Sequence, residues 1–205
     1  MIHGCDRSGG TFMRELIYYV ACSVDGFIAH HDGSHDGFLP EGEHIADIIQ
    51  SFPETIPAHF RDALGIDAEN QWFDVVLMGR KTYEVGLKEG ITNPYPHLKQ
   101  YLFSRRLKTS PDAQVELVSQ DAVSLVRRLK QESGKGIWLC GGAELATTLF
   151  SANLVDQLIL KVNPFLMGSG IPLFADKIPQ TTLELTYSKV YENGLSRLHH
   201  RVKHP

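Results

Sequence analysis

The chain has 205 residues, 42% of them hydrophobic and 21% charged, with a formal net charge of −4 at pH 7. That length suits one domain with a sizeable core. The mild acidity argues against a generally basic nucleic-acid surface, and no apolar run is long enough to span a bilayer. The three cysteines, Cys5, Cys22 and Cys140, are odd in number and far apart. They fit reduced thiols in a cytoplasm better than a disulfide frame or a zinc site. Cys22 and Cys140 read as small buried hydrophobes in strands.

Residues 1–12 lack periodicity and a signal-peptide core, and read as a dispensable extension. A chain starting at Met13 is expected to keep fold and activity, with 13–205 as one domain. Leu16 to Val24 is a continuous apolar strand, followed by an Asp25-Gly26 turn and a polar stretch from His30 to Gly42. Glu43 to Ser51 predicts a short helix with Ile45, Ile48 and Ile49 on one face, and Ala58 to Leu64 another. Asp74 to Met78 is a strand and Arg80 to Val85 opens a helix. Tyr101 to Phe103 and Val115 to Val118 are short strands. Asp121 caps a helix that ends by Gly134. Ile137 to Cys140 is a strand, Ala143 to Ala152 a helix, and Asp156 to Val162 a strand. Leu183 to Val190 and Ser196 to Val202 flank Glu192-Asn193-Gly194, a hairpin signal. The pattern is α/β: a mostly parallel mixed sheet with a C-terminal antiparallel hairpin.

Three strand ends carry the chemistry. In Cys140-Gly141-Gly142-Ala143-Glu144-Leu145 a strand meets two glycines and then a helix start. Glycine permits close approach of a ligand, and free helix N–H groups suit phosphate. In Gly79-Arg80-Lys81-Thr82 the first helical turn carries two cations, which oppose the helix dipole unless an anion sits there. In Phe103-Ser104-Arg105-Arg106 a strand ends in a hydroxyl and two guanidinium groups, suited to a phosphate monoester. Singly, each also reads as an ordinary turn or charged strand end. Ligands of open α/β sheets collect at the C-terminal strand ends. One site could therefore hold a pyrophosphate at Gly141-Gly142 and a 2′-phosphate between Arg80 and Ser104-Arg105, the pattern of NADPH. The usual G-x-G-x-x-G fingerprint is missing, and Gly168-Ser169-Gly170 reads as a loop.

The chain resembles the dihydrofolate reductase-like family. It is closer to stand-alone relatives of the reductase domain of the riboflavin-biosynthesis deaminase/reductase than to dihydrofolate reductase proper. The matching segments are Ser23 to Ala29, Met78 to Glu84, Phe103 to Arg105, Cys140 to Leu145 and Pro164 to Phe174, in the family's order. The resemblance implies a dihydrofolate reductase-like three-layer fold with an eight- or nine-stranded sheet. It implies NADPH as cofactor, a cis Gly141-Gly142 peptide facing the pyrophosphate, and a homodimer through a sheet edge. It places Ala21, Cys22, Gly26 and Ile28 along the nicotinamide, and a small pterin-, pyrimidine- or carbonyl-type substrate beyond it. On the helix after the first loop, Asp47 is the choice for orienting substrate, with a solvent-facing helix carboxylate as the alternative. Glu43 lies one turn away on the same face. The segment Phe52 to Phe60 is a candidate wall of the pocket.

The expected chemistry is hydride transfer to a C=N or C=O carbon, with position and electrostatics supplied by the protein. No H-x-E with a downstream P-C-x-x-C is present, which excludes a zinc deaminase. The histidine groups His30-His31-His35 and His199-His200-His204 read as loop and strand residues, so no metal is assigned. A nucleotide sensor without turnover is the alternative reading. A hydrolase or transferase lacks G-x-S-x-G, Walker A and H-E-x-x-H support.

Overall fold

The computed structural model describes residues 13–204, so the expectation for residues 1–12 lies outside the described residues. In chain order the elements are β1 (Leu16–Ser23), β2 (Phe27–Ala29), α1 (Glu43–Ser51), α2 (Ala58–Leu64), β3 (Phe73–Gly79) and α3 (Arg80–Lys88). Then come β4 (Lys99–Phe103), β5 (Val115–Val118), α4 (Ala122–Gln131), β6 (Gly136–Gly141) and α5 (Ala143–Ser151). The chain closes with β7 (Gln157–Asn163), β8 (Ile171–Pro172), β9 (Thr182–Val190) and β10 (Ser196–Lys203).

Eight strands form one sheet in the order β5-β4-β3-β6-β1-β7-β10-β9. The pairs from β5 to β7 are parallel, and β10 runs antiparallel to both β7 and β9. The expected parallel sheet and terminal hairpin are both present. The continuous apolar run of β1 is explained by its place between β6 and β7, with helices on both faces. Its alternate residues split between two cores. Leu16 and Tyr18 join Val126 and Leu129 of α4 and Leu145, Leu149 and Phe150 of α5. Ile17 and Tyr19 join Phe52, Tyr83 of α3, Tyr95 and Trp138. Each large apolar side chain so buried contributes about 1.5–3 kcal/mol.

Asp121 Oδ1 accepts the Ser124 N–H at 2.9 Å, the expected cap of α4. The small antiparallel pair β2–β8 has no signal in the sequence, because strands of three and two residues are too short to show alternation. The segment after α1 packs into the core. Phe52 stacks on Tyr19 at 4.8 Å between centroids. The fully buried Glu54, in a 3-10 turn at Pro53–Thr55, accepts the backbone N–H groups of Gln71, Trp72 and Phe73 at 3.2, 2.5 and 2.8 Å. That carboxylate fixes where β3 begins. Among the described residues no helix is long and apolar enough to cross a membrane.

Candidate active site

The C-terminal ends of β3 and β6 meet at glycines. Met78 pairs with Gly141 across the two strands, after a register shift. A Cβ on Gly79 would stand 3.1 Å from the Gly142 nitrogen, and one on Gly142 would stand 3.3 Å from Thr82 Oγ1. The Gly141–Gly142 peptide is cis, as the resemblance implied. Gly141 has φ +135, a region that favours glycine. The helices α3 and α5 start here with Gly79 and Gly142 as N-caps and no side-chain cap. Their first-turn N–H groups are therefore free for a ligand. The two glycine segments and Thr82 form one cradle.

The other proposed cofactor residues are arranged around it unequally. The Arg80 guanidinium is held by Glu84, one turn along α3, and Lys81 is exposed. Ser104 is buried, and its hydroxyl oxygen accepts the N–H groups of Arg106 and Leu107 at 3.2 and 3.1 Å. The turn so formed leaves Arg105 exposed at the end of β4, with no ion pair among the described residues. Ser104 N–H donates to Val118 O, which ties this turn to the end of β5. There a shallow depression of about 410 Å³ opens, lined in part by Val118, Ser119, Gln120, Asp121 and Arg128. In α5, Glu144 is exposed, while Ala143 is buried and the Leu145 side chain packs in the core rather than towards the cradle.

Ala21 and Cys22 lie near the C-terminal end of β1, and Gly26 and Ile28 follow in the turn and β2. That turn is tied down by Asp25. Its carboxylate accepts from Ser23 Oγ at 2.5 Å and from the Met167 and Gly168 N–H groups at 3.0 and 2.7 Å. The Ser23 hydroxyl first, and then the Met167 N–H, hold its pKa down to about 2. Asp25 thus joins the end of β1 to the Met167-Gly168 loop. The two thiols in this region are neutral at pH 7. Burial pushes Cys22 up to about 11 and Cys140 up to about 12. Cys22 is buried as expected, and Cys140 is half-buried.

Asp47 is not a free helix carboxylate. It pairs with Lys189 at 2.6 Å and with Arg197 at 2.5 Å, and accepts the Tyr191 hydroxyl at 2.6 Å. Burial opposes its charge, but Lys189, Tyr191 and Arg197 outweigh burial and hold the pKa below the usual value. Glu43 accepts the Glu192 N–H at 2.6 Å, so both carboxylates on this face of α1 meet the β9–β10 hairpin. Lys161, Lys189, Tyr191 and Arg197 are polar groups of this face that pattern reading missed. Lys161 interrupts the apolar run Leu158-Ile159-Leu160, which was the available signal. Among the described residues no three His, Cys, Asp or Glu side chains are grouped as a metal site would require.

A family model described as the RibD C-terminal domain matches residues 14–196. The chain belongs to that family. It is 34% identical over 188 residues to the uncharacterized protein YwjB of Bacillus subtilis, covering 91% of this chain and 97% of the relative. It is 28% identical over 196 residues to the uncharacterized protein YyaP of the same organism, covering 90% and 93%. Among solved structures it resembles a putative riboflavin biosynthesis protein from Shewanella, with TM-score 0.69, 21% identity, and 93% and 99% of the two chains covered. It also resembles a deaminase/5-amino-6-(5-phosphoribosylamino)uracil reductase from Thermotoga maritima, with TM-score 0.60, 13% identity, and 93% and 57% covered. These neighbours carry the dihydrofolate reductase-like fold, and membership of the RibD C-terminal family indicates an oxidoreductase.

Proposed function

We propose that this protein is an NADPH-dependent reductase that delivers hydride to a C=N or C=O bond of a small pterin- or pyrimidine-like heterocycle or carbonyl compound. The supporting observation is the cradle in which Gly79, Gly141, Gly142 and Thr82 converge at two uncapped helix starts. A Cβ on Gly79 or Gly142 would crowd this cradle, so the glycines present fit the pyrophosphate of the cofactor. Arg105, exposed and unpaired at the neighbouring strand end, would hold the 2′-phosphate, with Arg80 on the other side. When bound, NADPH supplies the hydride. The chain's own residues orient it, and the face bearing Asp47 and Arg197 holds the substrate.

Asp47 acts on this face by holding Arg197 and Lys189, which fixes α1 against the hairpin. The reading is tested by following NADPH oxidation with 5-amino-6-(5-phosphoribosylamino)uracil, dihydrofolate and small carbonyl compounds. Turnover of one of them is expected. Binding of NADPH with no oxidation across the set would favour a sensor instead.

A homodimer is part of the proposal. Leu183 and Leu185 lie on one face of the edge strand β9 and are 40% and 55% exposed. A long edge strand with exposed apolar residues is a pairing surface. Sedimentation is expected to give twice the chain mass, and Leu185→Lys to give the single chain.

A further inference from the structure

Lys161 stands unpaired on a face where its fellow cations are paired. It lies opposite Ala21 of β1 and opposite Arg197 of β10, and Arg197 lies opposite Lys189 of β9. Positions paired across strands share a face, so Ala21, Lys161, Arg197 and Lys189 form one row. Like charges set side by side repel. Asp47 neutralises Arg197 and Lys189. Among the described residues no carboxylate pairs with Lys161.

The Lys161 ammonium sits over the Tyr19 ring, 4.4 Å from its centroid. The titratable groups facing it are Tyr19 from β1, Cys140 from β6 and Arg197 from β10, with Asp47 of α1 beyond Arg197. Burial raises the Tyr19 phenol and the Cys140 thiol, so both are neutral at pH 7. The remaining charged neighbour is Arg197, of the same sign. Burial first, and then Arg197, bring the Lys161 pKa down to about 8. Lys161 is half-buried, and an ammonium beside a like charge with no carboxylate partner among the described residues is a poor choice for stability and a common feature of functional sites.

Its position gives it a use. Cys140 immediately precedes the Gly141–Gly142 cradle, and Ala21 lies two residues before the C-terminal end of β1. We propose that Lys161 is the catalytic acid, whose Nζ gives a proton to the heteroatom of the reduced bond. This rests on the reductase reading above. The carbon gains the hydride, and the π electron pair moves to nitrogen or oxygen. That atom forms a bond to a proton as the Nζ–H bond breaks, leaving a neutral amine that solvent re-protonates. An acid that titrates near neutral pH suits this transfer.

The test uses the full chain labelled with 13Cε-lysine, in which Lys161→Arg assigns the signal by removing it. The expected titration midpoint is near 8; an ordinary midpoint near ~10.4 would overturn the proposal. With NADPH and 5-amino-6-(5-phosphoribosylamino)uracil, the wild-type rate is expected to fall as pH rises through the same midpoint. Lys161→Met and Lys161→Arg are both expected to lose about 10²- to 10⁴-fold in turnover while NADPH fluorescence titrations stay unchanged. Arginine keeps the charge but cannot release the proton, so full activity in Lys161→Arg would contradict an acid role. Wild-type failure to oxidise NADPH with this probe and with dihydrofolate would sink the reductase reading and the proposal together. Wild-type turnover matched by Lys161→Met would sink the proposal alone.

Discussion

Gly79 approaches Gly142 so closely that a methyl group on its Cα would stand 3.1 Å from the Gly142 nitrogen. This contact joins two stretches of sequence more than sixty residues apart into one surface. Gly79 has φ −72, so alanine is allowed there by backbone conformation. The new methyl would instead press on the cradle. Gly79→Ala is expected to weaken NADPH binding about tenfold, or ~1.4 kcal/mol. Its melting temperature should stay close to wild type. Fluorescence titration of NADPH beside a thermal melt separates the two effects, and unchanged binding would detach Gly79 from the cofactor.

Asp47 and Arg197 give a prediction about stability. Removing one partner of a largely buried pair leaves the other charge uncompensated. Arg197 has a 6% exposed side chain, while Asp47 retains some access to water. Asp47→Asn is expected to cost about 2 kcal/mol, reduced from the fully buried case by that solvent screening. The folded-state pKa of Asp47 is depressed, so its contribution is present above the unfolded pKa and is lost as pH falls through the folded value. Denaturant melts of wild type and Asp47→Asn should therefore converge in acid. Parallel curves at all pH values would show that the ion pairs add no net stability.

Much of the fold was legible in the sequence. The runs of β1, β3 and β6 are continuous and apolar because both faces of those strands are covered. Asn193-Gly194 marked the hairpin, and the glycines at positions 79, 141 and 142 marked the cradle, because backbone approach demands a residue type. The cationic row was not legible. Which face of the β9–β10 hairpin coincides with that of β7 depends on register between strands separated by a long segment, and register is set by tertiary pairing. Asp47 was visible as a residue, but its partners were not, since they arrive from the far end of the chain. Glu54 carried no pattern at all, because its partners are backbone N–H groups.

His199 gives an acid-side prediction. Its ring lies among Phe52, Trp72 and Tyr187, and its Nε2 has no hydrogen-bond partner among the described residues. Burial first, then Arg197 and His200, lowers its pKa to about 4. Between pH 6.5 and 4 the unfolded chain takes up a proton that the folded chain refuses, so stability falls over that window. The expected loss is on the order of 3 kcal/mol. His199→Phe keeps the aromatic packing and should flatten that part of the stability profile. A profile identical to wild type would place the titration elsewhere.

The cofactor cradle is tested most directly by calorimetric titration of the wild-type chain and Arg105→Ala with NADPH and with NADH. NADPH is expected to bind at a single site and more tightly than NADH. Arg105→Ala should weaken NADPH by about 1.5–3 kcal/mol, the range for a hydrogen bond to a charged group, while NADH changes little. Equal weakening of both would remove Arg105 from the 2′-phosphate. Absence of NADPH binding to the wild-type chain would contradict the cradle at Gly79, Gly141 and Gly142 itself.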